Sequence, residues 1–261
     1  MDVGIYIFCL STMRCPGFPE SSSELDRLFL HRHGDLCAIA KRVSLEEFCG
    51  PDADRRLADP AWVTPRAIDH GRVIAEVFRG SPVLPVPFGT LFSSPRVLGD
   101  FLERNADLIK GFFEYAAGCE EWGIKAMLDR ERLKRSLIES IADAGSTAVS
   151  PGLRYLRERR ADQMADQRSG AWLEQNLRVV VDALDRCATR SCQRRILDDS
   201  KQPDGREEVL NLAALLGRDR VAEFRRRIEA IDRERAEDGL SFALTGPWPP
   251  YSFCPALDSP P

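Results

Sequence analysis

The chain's 261 residues are 43% hydrophobic and 30% charged, with a formal net charge of -4. At roughly 100–200 residues per domain two domains are expected, and a chain of this size buries about 75% of its unfolded surface without a disulfide or metal staple. The composition excludes a disordered chain or a membrane span, and the acidic balance supplies no broad positive field, so neither nucleic acid nor a lipid membrane is an expected partner.

Gly4–Leu10 is a β-branched and aromatic run that reads as an opening strand, ending in a loop with Pro16, Gly17 and Pro19. It follows Asp2 with no basic region, unlike a secretory signal, so the chain is expected in the cytosol. Leu28–His33 and Leu36–Val43 flank Gly34-Asp35 as a hairpin. Ser44 and Glu47 have capping-box spacing ahead of a short helix. From Pro60 a longer helix should present Ile68, Val73, Ile74, Val77 and Phe78 on one side and close at Gly80. The proline-rich Pro82–Phe88 suits an extended edge, with Gly89-Thr90 turning out of it. Ser94-Pro95 opens a helix whose apolar face, Phe101, Leu108, Phe112 and Tyr115, runs to Gly118.

After a strand over Trp122–Leu128, Arg130–Asp143 and Gly152–Leu197 read as charged helices parted at Ser150-Pro151-Gly152. Leu173, Leu177, Val180, Leu184 and Cys187 recur at alternating steps of four and three. A seam this short does not sustain an independent coiled coil, so it should pack on the Arg130–Asp143 helix; the other reading is a partner groove through Leu177 and Leu184. A polar loop at Lys201–Glu208, a strand at Val209–Leu216, a helical face of Val221, Phe224, Ile228 and Ile231, and a strand at Leu240–Thr245 complete the chain. Interleaved strands and helices with hairpins give an α+β fold class: a ferredoxin-like unit over 1–118, an α+β unit with a long helical extension over 119–254, and a loose tail over 255–261.

The common phosphate-loop, dinucleotide, zinc-protease and nucleophile-elbow patterns are absent. The eight cysteines include no Cys-x-x-Cys pair, and Cys187 and Cys192 on one helix would stand about 140° apart, so neither a metal nor a cofactor is expected. His31 and His33 share one face of a strand, but without a visible third ligand a solvent face is expected. Asp69 and His70 diverge by about 100° on a helix, a poor base-and-orienter geometry, so His70 reads as a capping or packing histidine. Arg154, Arg157, Arg159 and Arg160 enclose Glu158 and read as a solvated helix face. An enzyme or small-molecule binder in this chain would have to use His70 or the Arg154–Arg160 group. Pro247, Pro249 and Pro250 fix φ and remove backbone donors, so Leu244–Phe253 should run as an extended clasp that buries Trp248, Tyr251 and Phe253; a partner-binding aromatic patch is the alternative.

Gly4-Ile5-Tyr6, Gly34-Asp35-Leu36, Asp59-Pro60-x-Trp62, His70, the Pro82–Phe92 block, Glu121-Trp122-Gly123-Ile124-Lys125, Gly152–Leu156 with Arg159-Arg160, Leu210-Asn211 and the Leu244–Phe253 block follow one another in order. Together they resemble the gas vesicle protein F/L family over nearly the whole chain. The family commonly has arginine just before Phe-Gly-Thr, where Pro87 stands here, so no contact made by that arginine is expected. The resemblance implies a two-domain α+β, non-enzymatic accessory or minor structural component located at gas vesicles. It further implies action in assembly, through contacts with the small hydrophobic shell protein and other gas vesicle accessory proteins.

Overall fold

A computed structural model describes residues 3–12, 28–142, 151–196 and 205–258. The expected loop at Pro16–Pro19, the break at Ser150 and the last three residues of the expected tail lie outside these. The described residues fall into two compact units, one running to Glu120 and resuming at Trp248, the other Glu121–Pro247. The expected boundary after residue 118 lies near this division. The residues from Trp248 onward, however, pack with the first unit instead of ending the second.

The first unit contains β1 (Val3–Thr12), β2 (Leu28–His33), β3 (Leu36–Ser44), α1 (Leu45–Cys49), α2 (Ala53–Leu57), α3 (Pro60–Gly80), β4 (Val83–Pro85), β5 (Leu91–Phe92), α4 (Pro95–Arg104) and α5 (Ala106–Ala116). Its sheet runs β2-β3-β1-β4, with β5 also paired to β1. β1 is buried on both faces, which is why Gly4–Leu10 reads as a continuous apolar run instead of an alternating one. Tyr6, Phe8, Cys37 and Ile39 meet Val73, Ile74, Val77 and Phe78 of α3 in one core. On the other face Gly99 of α4 lies against His31 and His33.

The local signals act as expected at α3, where the Asp59 carboxylate accepts from Ala61 N–H and Pro60 takes the first helical position. Ser44 sits at the N-cap of α1, yet its side chain makes no capping bond. Glu47, the other half of the expected capping box, is instead paired with Arg66 at 2.6 Å. Ile68 is 66% exposed because it lies about 160° around the helix from His70, away from the buried stripe. The helix expected from Ser94 to Gly118 is two helices broken at Asn105, and the buried stripe after the break is Ile109, Phe112, Phe113 and Ala116, which leaves Leu108 exposed.

The second unit is built from β6 (Cys119–Leu128), α6 (Arg130–Ala142), α7 (Pro151–Cys187), β7 (Ala188–Gln193), β8 (Glu207–Gly217), α8 (Val221–Arg235) and β9 (Leu240–Trp248). Its sheet order, β7-β8-β6-β9, repeats that of the first when strands are counted within each unit. The order of elements is β-α-β-β-α-β, with a helical pair in the first crossover. Trp122, Ile124, Ala126 and Leu128 of β6 join Leu210, Leu212, Ala214 and Leu216 of β8 in a core closed by Leu133, Val180, Leu184, Phe224 and Ile228. The helix expected to reach Leu197 ends at Cys187, and Cys192 lies on the strand β7.

Candidate partner-binding cleft

In the first unit the proline-rich Pro82–Phe92 block meets the segment from Trp248 onward. Val83–Pro85 pairs with Cys9–Ser11 of β1, Leu91–Phe92 pairs with Ile5–Tyr6, and the chain turns between them at Gly89, φ 85°. Val86 N–H donates to Phe8 O at 3.3 Å and Ile7 N–H to Thr90 O at 3.1 Å, which ties the whole block to β1. β4 ends the sheet path, so no further strand needs the N–H that Pro85 lacks.

The second block leaves β9 and enters a 3-10 turn at Tyr251–Phe253. Tyr115 O–H donates to Phe253 O at 2.7 Å, and Cys254 Sγ lies 3.6 Å from Pro85 O. Asp258 N–H donates to Asn105 Oδ1 at 2.9 Å, while Asn105 Nδ2 donates to Phe101 O. The fully buried Asn105 at the helix break is therefore the anchor of the C-terminal segment. Pro255–Asp258, expected to be loose, is held alongside the body.

Between the blocks lies a cleft of about 510 Å³. Leu84–Pro87 and Thr90 form one wall, Tyr251 and Cys254–Asp258 the other, and Phe101 also lines it. Leu84, Pro85, Val86 and Pro87 make this wall largely apolar. Tyr251 is 44% exposed and Trp248 is 47% exposed, whereas Phe253 is buried. The expected burial of Trp248 and Tyr251 in a clasp is corrected: Trp248, which ends β9, and Tyr251, which opens the 3-10 turn, both hold much of their side chains in solvent while the backbone runs on to the buried Phe253. Leu184 is buried and the partly buried Leu177 packs against the second unit's core.

His70 is enclosed, with its Nε2 3.0 Å from Val86 O and its Nδ1 2.7 Å from the Tyr6 hydroxyl. A carbonyl only accepts, so Nε2 carries the proton and Nδ1 accepts from Tyr6. Its ring stacks on Phe8. Burial is the main cause that pulls the His70 pKa below its ordinary 6.5, with the Val86 carbonyl opposing. Burial likewise pushes the Tyr6 phenol up to about 12. With both ring nitrogens engaged, His70 is a packing histidine that ties α3 to β1 and to the cleft wall at Val86. His31 and His33 share a face as expected, but α4 covers it, so the expected solvent face is corrected. His33 Nε2 is 2.6 Å from Glu103, and burial is the main cause of a lowered His31 pKa. Arg157, Arg159 and Arg160 are exposed, and Arg159 reaches Tyr155 O–H at 3.4 Å. Among the described residues no group of three metal-ligating side chains comes together, and no helix is long and apolar enough to cross a membrane.

The sequence profile of the family described as gas vesicle synthesis protein GvpL/GvpF matches residues 4–255. Gas vesicle protein L of Streptomyces sp. (strain CB03234) is 30% identical over 226 residues, 86% of this chain and 82% of that protein. Gas vesicle protein L2 of Halobacterium salinarum (strain ATCC 700922 / JCM 11081 / NRC-1) is 24% identical over 73% of this chain and 71% of its own length. The crystal structure of the gas vesicle protein GvpF from Anabaena sp. PCC7120 superposes with a TM-score of 0.69 at 17% identity, covering 98% of this chain and 99% of that one. GvpF from Microcystis aeruginosa gives 0.64 at 16% identity, over 97% and 99%. The fold is shared with these structures, and by the match from residue 4 to residue 255 the chain belongs to the GvpL/GvpF family of gas vesicle synthesis proteins.

Proposed function

We propose that this family member serves gas vesicle formation as a non-enzymatic assembly factor that holds the hydrophobic shell protein at the cleft of the first unit. The carrying observation is the largely apolar cleft between Leu84–Pro87 and Cys254–Leu257, lined also by the half-exposed Tyr251. A shell protein with an apolar face aggregates unless that face is covered before polymerisation, and a rigid, proline-walled cleft covers it with little loss of chain entropy. Aromatic side chains that are half exposed beside such a cleft have the composition of binding hot spots. Contacts with other gas vesicle accessory proteins would use surfaces outside this cleft.

Co-expression with tagged shell protein, followed by crosslink mapping, tests the reading. Crosslinks should fall on Pro85–Thr90 and Tyr251–Asp258, and Tyr251→Ala should lower the amount of shell protein retained while leaving the thermal midpoint within a few degrees. Full retention by Tyr251→Ala, with crosslinks elsewhere, would sink it.

A further inference from the structure

His31 and His33 alternate on β2 and so project from one face of the strand. Gly99 of α4 lies over both rings, and a Cβ there would stand 3.5 Å from His33 Nδ1 and 3.9 Å from His31 Nε2. The missing side chain leaves a notch the size of a methyl group, lined by a nitrogen from each imidazole. His31 Nε2 is buried and has no hydrogen-bond partner among the described residues. Such an atom is rare in a folded interior, because its lost hydration is not replaced.

His33 is held at its other nitrogen. Its Nε2 lies 2.6 Å from Glu103 Oε2 on α4. A carboxylate accepts, so Nε2 carries the proton and Nδ1 of the neutral ring keeps its lone pair on the side of the notch. An imidazole that donates one N–H to a carboxylate while offering its second nitrogen has the arrangement of a metal-ligating histidine. Because Glu103 engages the far ring nitrogen, it orients a ligand and is not one itself. The His33 side chain is 35% exposed and that of Glu103 75%, which leaves an entry path from solvent.

We propose that His31 Nε2 and His33 Nδ1 form a two-imidazole site for a divalent transition metal of the zinc type, seated at Gly99 and completed by water. Imidazole is a ligand that such ions favour. Zinc–nitrogen bonds of about 2.0–2.1 Å require both rings to lean into the notch, a rotation that the broad χ2 of histidine allows. Two protein ligands fall short of the three or four that hold catalytic or structural zinc, so the ion exchanges with solution and is not needed for folding. Through Glu103 it stiffens the contact of β2 with α4, the helix that carries Phe101 into the cleft. The site itself does not depend on what the cleft binds.

Zinc titrated at neutral pH into the full chain labelled with 15N-histidine tests this by NMR of the imidazole nitrogens. The chain has three histidines, and its thiols do not contribute to that spectrum. His31 Nε2 and His33 Nδ1 should shift as free zinc rises to about 0.1 mM, while His70, with both ring nitrogens engaged, stays in place. Gly99→Ala keeps both histidines and fills the notch at ordinary contact distances, so it should hold the thermal midpoint and weaken zinc at least about tenfold. Glu103→Gln, at an exposed position, should weaken zinc by about tenfold through loss of the orienting carboxylate. Rings unmoved up to roughly 1 mM free zinc, or an undiminished response in either variant, would overturn the proposal and leave the notch to a water molecule.

Discussion

Single side chains separate what holds this protein together from what it offers to others. Phe253 is buried and its carbonyl accepts from Tyr115, while Trp248 and Tyr251 stand half in solvent. Phe253→Ala should therefore lose about 3–5 kcal/mol of folding stability in urea denaturation, and Trp248→Ala roughly 1 kcal/mol or less. His70 gives a second residue-scale prediction. Its folded pKa is depressed chiefly by burial, so the unfolded chain takes up the proton first. Its contribution is full above pH 6.5 and is lost as pH falls through the depressed folded value. Tyr6 acts with the opposite sign: its pKa is raised to about 12, so its contribution is full below pH 10.0 and is lost as pH rises toward that value. His70→Phe should destabilise by about 1–3 kcal/mol at pH 8, since it strands the Tyr6 hydroxyl and Val86 carbonyl, and should flatten the fall in stability between pH 7 and 5. An unchanged slope in the variant would move that pH dependence to other groups, His31 among them.

Among the elements, the helical seam and β9 show which patterns carry structural information. Leu173–Cys187 reads as an apolar seam from its spacing and as an internal one from its shortness, and the structure places Val180 and Leu184 in the core of the second unit. Leu184→Ala should cost about 2–5 kcal/mol, whereas Leu156→Ala, at a 61% exposed position on the same helix, should stay within about 0.5 kcal/mol. Gly246 must remain glycine: its φ is 145°, and a Cβ there would lie 2.9 Å from Glu121 O and 3.0 Å from the Trp122 ring. α3 is legible in the sequence because its cap, its first-turn proline and its buried stripe agree. β7 is not legible, because it ends its sheet and leaves most side chains in solvent, so Ala188–Gln193 has no apolar alternation to separate it from the helix before it. Asn105 is legible only as a polar residue in an apolar pattern. Its role depends on Asp258, whose distance along the chain no local pattern spans. The extended course of the two proline-rich blocks is legible in the sequence, but φ restriction does not say which face of that backbone is covered, so neither the cleft nor the exposure of Trp248 is legible.

Across the whole molecule, the two units repeat one sheet order, yet the chain's end returns to the first unit and finishes the cleft there. This makes Pro255–Asp258 part of the proposed site, although none of these four residues is among the buried core. A chain ending at Cys254 loses the Asp258–Asn105 bond and the wall formed by Pro255–Leu257. Asn105 Oδ1 then has water or nothing in place of the Asp258 amide, so the expected loss of stability is about 1–2 kcal/mol, small enough to leave the protein folded. Shell-protein retention should fall much further than that, because the wall opposite Leu84–Pro87 is gone. Denaturation curves and co-purification on the same truncated protein distinguish the possibilities. Unaltered retention by a folded truncated chain would show that the C-terminal segment is packing alone. A drop of retention in the truncated chain matched by that of Tyr251→Ala, with both proteins folded, would place the shell contact at the cleft of the first unit.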